Sequence, residues 1–315
     1  MIKKVFITGS SGCVGHYVLD ELLERSDLEV HLLCRDPNRI TIDLSSRSNF
    51  HIHTGDLKNI EDLKHILKDI NVLIHIATDW SDSDYARYLN VQQTHEMLSF
   101  CDPKKLDKII YFSTASILGK GNKLVEAAGK HGSGYVRSKY LAYKSLQDSG
   151  WKDKTVVLYP TMVFGGQKGR PFSHISSGIV PSLKFMKWIR FIVLEGKFHF
   201  IHSRDIARVT TYLIDHDTES KELVLGYKAV TVKQAIDSIC STFCISIPFR
   251  FNISKKFIFL MAKWFRIKIG PWERHCIENS DMSYDVVNPL TYGLKPGFET
   301  LDLLLEDIKT SSAVS

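Results

Sequence analysis

Val5-Phe6-Ile7-Thr8-Gly9-Ser10-Ser11-Gly12-Cys13-Val14-Gly15 decides how this chain folds. A short apolar run, too brief for a helix, enters the pattern TGxxGxxG, and an amphipathic segment follows over residues 16–25. Buried strand, glycine loop and helix in that order open a dinucleotide-binding βαβ unit. The glycines have separate tasks: a tight turn, room for a pyrophosphate against the backbone, and close packing of helix on strand. The helix amino terminus then offers unpaired N–H groups and the positive end of its dipole to the phosphates. Gly9, Ser11, Gly12, Cys13, Val14 and Gly15 are therefore the expected phosphate-side contacts.

A second strand, residues 29–33, ends at Cys34-Arg35-Asp36-Pro37, roughly twenty residues beyond the loop, where an NAD-selective site carries an acid for the ribose hydroxyls. Cys34 stands there instead, and the guanidinium of Arg35 matches a 2'-phosphate in geometry and charge. NADP is the expected cofactor, with NAD the alternative if Asp36 takes the acidic role. Phe50-His51-Ile52-His53-Thr54 alternates like a strand and runs into Gly55-Asp56-Leu57, where Asp56 either flanks an adenine or caps the next helix. Residues 72–77 read as a fourth strand whose terminal Ala77 lets a cofactor pass, with His75 a packed core residue. Ile109-Ile110-Tyr111-Phe112 is a fifth, ending in Ser113-Thr114-Ala115-Ser116; residues 155–160 form a sixth. Ligands of open parallel sheets sit at the carboxyl ends of strands, so this hydroxyl cluster points into the crevice, where Thr114 or Ser113 hydrogen-bonds a substrate oxygen.

Gly134-Tyr135-Val136-Arg137-Ser138-Lys139 sets a phenol and an ammonium four residues apart in a segment that reads as helix. Both side chains leave one face, one turn apart. A phenol with a pKa near ~10 is a poor proton carrier at neutral pH, and a neighbouring cation draws it toward the working range. Tyr135 is the expected acid/base and Lys139 its tuner.

With 315 residues, 44% hydrophobic and 24% charged, the chain has the composition of one large or two modest globular domains. The net charge of +6 is spread along the sequence, with short clusters such as Lys104-Lys105 and Lys255-Lys256, and no nucleic-acid footprint is expected. Six cysteines without a CxxC pair or a completing histidine indicate no metal site and a reducing compartment. The amino terminus enters a strand without an apolar leader, so a cytoplasmic protein is expected. Residues 254–270 mix aromatic and aliphatic side chains with five lysines and arginines. That stretch is too short and charged to span a bilayer, and suits either weak contact with a membrane surface or a helix capping an apolar substrate. Residues 309–315 are expected to fray.

Taken together, these residues resemble the extended branch of the short-chain dehydrogenase/reductase superfamily, which includes nucleotide-sugar epimerases and dehydratases, dihydroflavonol-type reductases and 3-beta-hydroxysteroid dehydrogenases. The resemblance rests on the glycine loop, Gly55-Asp56-Leu57, His75-Ile76-Ala77, Asn90-Val91, Ser113 to Gly119, Tyr135 to Lys139 and His202-Ser203-Arg204-Asp205-Ile206-Ala207. It implies an α/β fold, a Rossmann-type doubly wound parallel sheet with a smaller, sequence-discontinuous substrate lobe. Residues 1–164 would form the dinucleotide-binding domain, 165–200 and 225–308 the lobe, 201–224 a return to the sheet, and 309–315 a flexible tail. Thr114 aligns with the family's catalytic hydroxyl, Tyr135 with its general acid/base, and Lys139 with the lysine that also grips the nicotinamide ribose. Leu57, Ala77 and Pro160 join Arg35 and Asp56 as expected cofactor contacts. The implied activity is NADP(H)-dependent interconversion of a secondary alcohol and a ketone. Alternatives are a nucleotide-sugar epimerase or dehydratase with tightly held NAD, and a redox-sensing protein without chemistry. A small-molecule substrate is the expected partner, with room for a homodimer. Tyr159 before Pro160, where many relatives have arginine, and Arg204 before Asp205 depart from the family pattern.

Overall fold

Strand β1, Lys3–Thr8, is buried over its last four residues, as a strand covered on both faces must be. In this computed structural model, which describes residues 2–82, 84–167 and 169–312, it lies inside a seven-stranded sheet. The other members are β2 (Leu28–Cys34), β3 (Phe50–Thr54), β4 (Val72–His75), β5 (Lys108–Phe112), β6 (Thr155–Pro160) and the strand Glu222–Leu225. Their spatial order is Glu222–Leu225, β6, β5, β4, β1, β2, β3, with each neighbouring pair parallel. From β1 the chain moves outward through β2 and β3, then crosses back to β4. The order therefore reverses between β1 and β4, whose ends Thr8 and His75 are paired, and a ligand crevice belongs there.

Alternate residues of each strand enter opposite layers. Val5, Ile7 and Ile74 pack with the helices Cys13–Leu22 and Ser203–Asp215, whereas Phe6, Leu73 and Tyr111 pack with the helix Gly134–Gln147. The segment after residue 200 rejoins the sheet through Ser203–Asp215 and then Glu222–Leu225, which pairs with β6. Buried Asp205 accepts hydrogen bonds from Gly297 N at 2.6 Å and Phe298 N at 3.0 Å, fixing the approach of the helix Leu301–Ser312. That helix sends Leu301, Leu304, Leu305 and Ile308 into the same layer as Val5 and Ile7.

Two expectations change here. Residues 301–308, read as part of the substrate lobe, complete the sheet's own layer, because leucines at helical spacing form a core stripe. Residues 309–312, read as the start of a frayed tail, continue that helix, and Lys309 Nζ donates to Thr242 O at 2.8 Å. Residues 313–315 lie outside the described ones. Residues 165–200 and 225–300 hold the helices His174–Ile189, Val232–Thr242, Lys255–Trp264 and Pro271–Glu278 with small two-stranded pairings of two or three residues per strand. Among the described residues no helix is long and apolar enough to cross a membrane.

Two buried imidazoles are held in the core, one at the end of β4 and one at the end of the short strand Phe200–His202. His75 Nδ1 lies 2.7 Å from Thr8 Oγ1 and its Nε2 2.9 Å from Thr94 Oγ1, while His202 Nδ1 accepts from Arg204 N at 3.0 Å. Burial pushes both pKa values down to about 3, with the charge of Lys139 adding to the effect on His75 and those of Arg204 and Arg208 on His202. Both rings are thus neutral when folded, whereas unfolded histidines titrate near ~6.5. Between those values the unfolded chain binds more protons, so stability falls with pH, by about 2 kcal/mol per imidazole between pH 6.5 and 5. Denaturant titration at pH 7 and 5 should show this loss, and His202→Asn, which keeps an acceptor for Arg204 N, should make it shallower. An unchanged slope in that variant would remove His202 from the account.

Candidate active site

The carboxyl ends of β1, β4, β5 and β6 open into a cleft of about 770 Å³. Gly9, at φ +79°, leaves no space for a side chain, since a Cβ would come 2.6 Å from Ala77 N. At Gly15 a Cβ would fall 2.2 Å from Gly9 O. Gly12 differs: a Cβ would meet Gly9 O at 3.4 Å and otherwise occupy the open cradle. It precedes the helix Cys13–Leu22 and supplies no side-chain cap, so the first-turn N–H groups of the cleft-lining Cys13, Val14 and Gly15 remain for an anion. Ser11 lines the same cradle.

Beyond β2, Cys34 Sγ donates to Asp36 O at 3.0 Å, and the Asp36 carboxylate accepts from Asn38 N at 3.0 Å and Asn38 Nδ2 at 3.1 Å. Asp36 thus caps its own turn and is not part of the cleft wall. Arg35 is exposed and lines the cleft, and so does Arg39, four residues on. Sequence reasoning missed Arg39, although the turn-forming Asp36-Pro37-Asn38 between the two arginines was a signal that they return to one side. Asp56 accepts from Lys58 N at 3.1 Å while lining the cleft beside Leu57, and Ala77 and Pro160 line it too.

Thr114, Tyr135 and Lys139 meet in the middle. The helix carrying the last two starts at Ser133, whose hydroxyl accepts from Val136 N at 3.4 Å. Thr114 Oγ1 accepts from Ser116 N at 3.2 Å and hydrogen-bonds the Tyr135 phenol. Lys139 Nζ donates to Phe112 O at 2.6 Å and lies 5.0 Å from the centre of the Tyr111 ring. Asn90 holds the loop after β4 to this helix: its Nδ2 donates to Asp79 O at 3.0 Å and Ser138 Oγ at 2.9 Å, and its Oδ1 accepts from Thr78 Oγ1 and Asp79 N. The loop thereby brings Trp80 onto Tyr135, ring centres 4.0 Å apart and nearly parallel. Trp80 and its neighbour His174, at 5.1 Å, had no signal in the sequence.

The tuning of Tyr135 by Lys139 needs correction. Burial pushes the phenol well above its ordinary value, opposed by the hydrogen bond to Thr114, and burial brings Lys139 down to about 7. Lys139 is buried and Tyr135 half-buried against Trp80, so desolvation opposes either charge, and the ammonium is turned to a carbonyl.

The residues present fit a nicotinamide dinucleotide. An open helix amino terminus awaits phosphate, two arginines border the end of β2, and Ser113 Oγ, buried in the cleft wall, has no partner among the described residues. Among those residues the lysines and arginines of the cleft are Arg35, Arg39 and Lys139, while the far wall includes Trp80, Tyr85, Phe172, His174, Met282 and Tyr284.

Two curated relatives share part of this sequence. The 2-alkyl-3-oxoalkanoate reductase of Shewanella oneidensis is 24% identical over 181 residues, 52% of this chain and 46% of that protein. The decarboxylating sterol-4-alpha-carboxylate 3-dehydrogenase erg26 of Schizosaccharomyces pombe is 26% identical over 175 residues, 52% and 51% of the two chains. The chain spans about half the length of these relatives. A UDP-N-acetylglucosamine 4-epimerase from Methanobrevibacter ruminantium, solved with UDP-N-acetylmuramic acid, superposes with a TM-score of 0.68 at 18% identity over 99% of both chains, a likeness of fold. The sequence profile over residues 5–226 is that of the NAD dependent epimerase/dehydratase family, and to that family this chain belongs.

Proposed function

We propose that the protein is an NADP(H)-dependent oxidoreductase that interconverts a secondary alcohol and a ketone in an uncharged, largely apolar substrate. The distribution of cations in the cleft carries this reading. A nucleotide-sugar brings a diphosphate that needs arginine, lysine or a free helix amino terminus. The far wall has neither cation among the described residues, and the nearby amino terminus of His174–Ile189 is already capped by Ser173, whose hydroxyl accepts from Ser176 N. Arg35 and Arg39 stand instead beside β2, where a 2'-phosphate would lie.

When bound, the nicotinamide supplies the hydride to the carbonyl carbon or takes it back. Tyr135 passes its phenolic proton to the substrate oxygen, and its raised pKa keeps that proton in place at neutral pH. Thr114 orients the phenol and hydrogen-bonds the same oxygen, while Lys139 holds the ribose side of the cofactor. Glycine-loop N–H groups hold the pyrophosphate, with Asp56 and Leu57 beside the adenine. Residues 165–200 and 225–300 form the substrate lobe, whose aromatic wall excludes water from the reacting groups.

Tyr135→Phe should lower turnover by on the order of 10²- to 10⁴-fold while leaving NADPH affinity within a few-fold. Lys139→Met should weaken NADPH and lower turnover with it; an unaltered NADPH dissociation constant would remove Lys139 from the ribose contact. Arg35→Ala should weaken NADPH about ten- to 150-fold and leave NADH nearly unchanged, with Arg39→Ala acting in the same direction. Both constants are to be measured at one ionic strength, since salt screens the contact. The nucleotide released on denaturing the purified protein decides between the two enzyme readings. Stoichiometric NAD would favour an epimerase or dehydratase, whereas an empty site that takes up NADPH supports the reductase.

A further inference from the structure

We propose that the surface formed by residues 180–191 and 249–268 docks this protein on an anionic lipid bilayer. The inference does not depend on the reaction assigned to the cleft.

The two segments, far apart in sequence, are one surface in the fold. Strand Phe251–Ile253 pairs in parallel with Ile192–Leu194, Phe251 N donates to Phe191 O at 2.7 Å, and Arg190 Nη1 donates to Ser246 O at 2.7 Å. Phe191 and Phe249 stack at 4.6 Å across the join. From there the chain enters the helix Lys255–Trp264, which has no buried residue. Phe257, Leu260 and Trp264 share one exposed stripe of that helix, and exposed Phe265 and Ile267 extend it. Trp264 is 76% exposed, and Trp188, at the end of His174–Ile189, is 67% exposed. Aromatic side chains gathered in this way are rarely left bare on a monomeric soluble protein.

Charge selects the occupant. Residues 174–194 and 245–270 contain nine lysines and arginines and no aspartate or glutamate. The whole chain carries only +6, so the remainder is net negative, and a charge that reads as scattered along the sequence is gathered by the fold onto this face. Of the nine, Arg250 is paired with Asp237. A two-fold contact with a second copy would set this basic surface against itself. An anionic leaflet supplies the opposite charge over a broad area and an interfacial layer suited to tryptophan and phenylalanine, while lysine stems lie along the apolar surface with their ammonium groups at the headgroups. The amphipathic helix would lie in the interface. The 16-residue helix His174–Ile189 begins at the cleft and ends in this patch, so the cleft would open about 24 Å from the lipid.

Co-sedimentation of the full chain with phosphatidylcholine vesicles, with and without phosphatidylglycerol, tests the proposal. Binding should require the anionic lipid, weaken with added salt, and move tryptophan emission to the blue. Lys263→Glu/Lys268→Glu, which changes the charge of the face by four units, should reduce partitioning on the order of a thousand-fold. Trp188→Ser/Trp264→Ser should abolish the emission shift. All four positions are exposed and outside the cleft, so both variants should retain the wild-type thermal transition. No binding to anionic vesicles at low salt, or equal binding by both variants, would overturn the proposal. A concentration-dependent dimer that the same substitutions dissociate would overturn it too, and make the surface a contact between copies.

Discussion

The rest of this structure depends on backbone meeting backbone where no side chain fits. Gly15 rests against the carbonyl of Gly9, and Gly9 against the amide of Ala77, so the first helix, the end of β1 and the end of β4 are locked at the closest approach the chain allows. Thr8 extends the lock: its hydroxyl takes a hydrogen bond from Ala77 N at 3.2 Å and meets His75 at 2.7 Å. Because the sheet reverses order between these two strands, the same contact that fixes the packing also fixes the crevice. Glycine at positions 9 and 15 is a requirement of packing, and Gly12, which touches so little, is the one of the three that leaves open space in the cleft.

Desolvation governs the ionisable pair at the middle of the cleft. Spacing alone suggests a lysine that charges its tyrosine, but the fold buries both and directs the ammonium to Phe112 O. Tyr135 is thereby held as a protonated phenol, oriented by Thr114 and covered by Trp80. Asn90 is the less visible partner, since one amide sets both the loop bearing Trp80 and the turn of helix bearing Ser138.

What could be read from the sequence was local or periodic. Strand, glycine loop and helix follow one another within the first twenty-two residues, and the buried strands announce themselves as apolar runs, so the parallel sheet was legible. Tyr135 and Lys139 were legible as a helical pair, but not their burial, which comes from segments that pack on them from elsewhere. Trp80, His174, Met282 and Tyr284 reach the far wall from separate loops and helices with no shared spacing, and Arg39 reaches the cleft only because a capped turn folds back. Residues 301–308 were assigned to the substrate lobe because spacing along the chain does not say which surface a leucine stripe will cover. Charge along the chain was countable, yet its collection on one face needed the pairing of 192–194 with 251–253.

That terminal helix also sets the order in which the molecule can be made. Leu301, Leu304, Leu305 and Ile308 share a layer with Val5 and Ile7, and Asp205 waits for Gly297 and Phe298, more than ninety residues downstream. During synthesis β1, β2 and β3 can pair early, because neighbours among them lie within about twenty-five residues of each other, but one side of that layer stays open until residue 308 has been added. A nascent chain therefore passes through a long interval with finished strands and an apolar flank bare. The last piece of the core to be made is thus the one that closes the layer begun by the first strand.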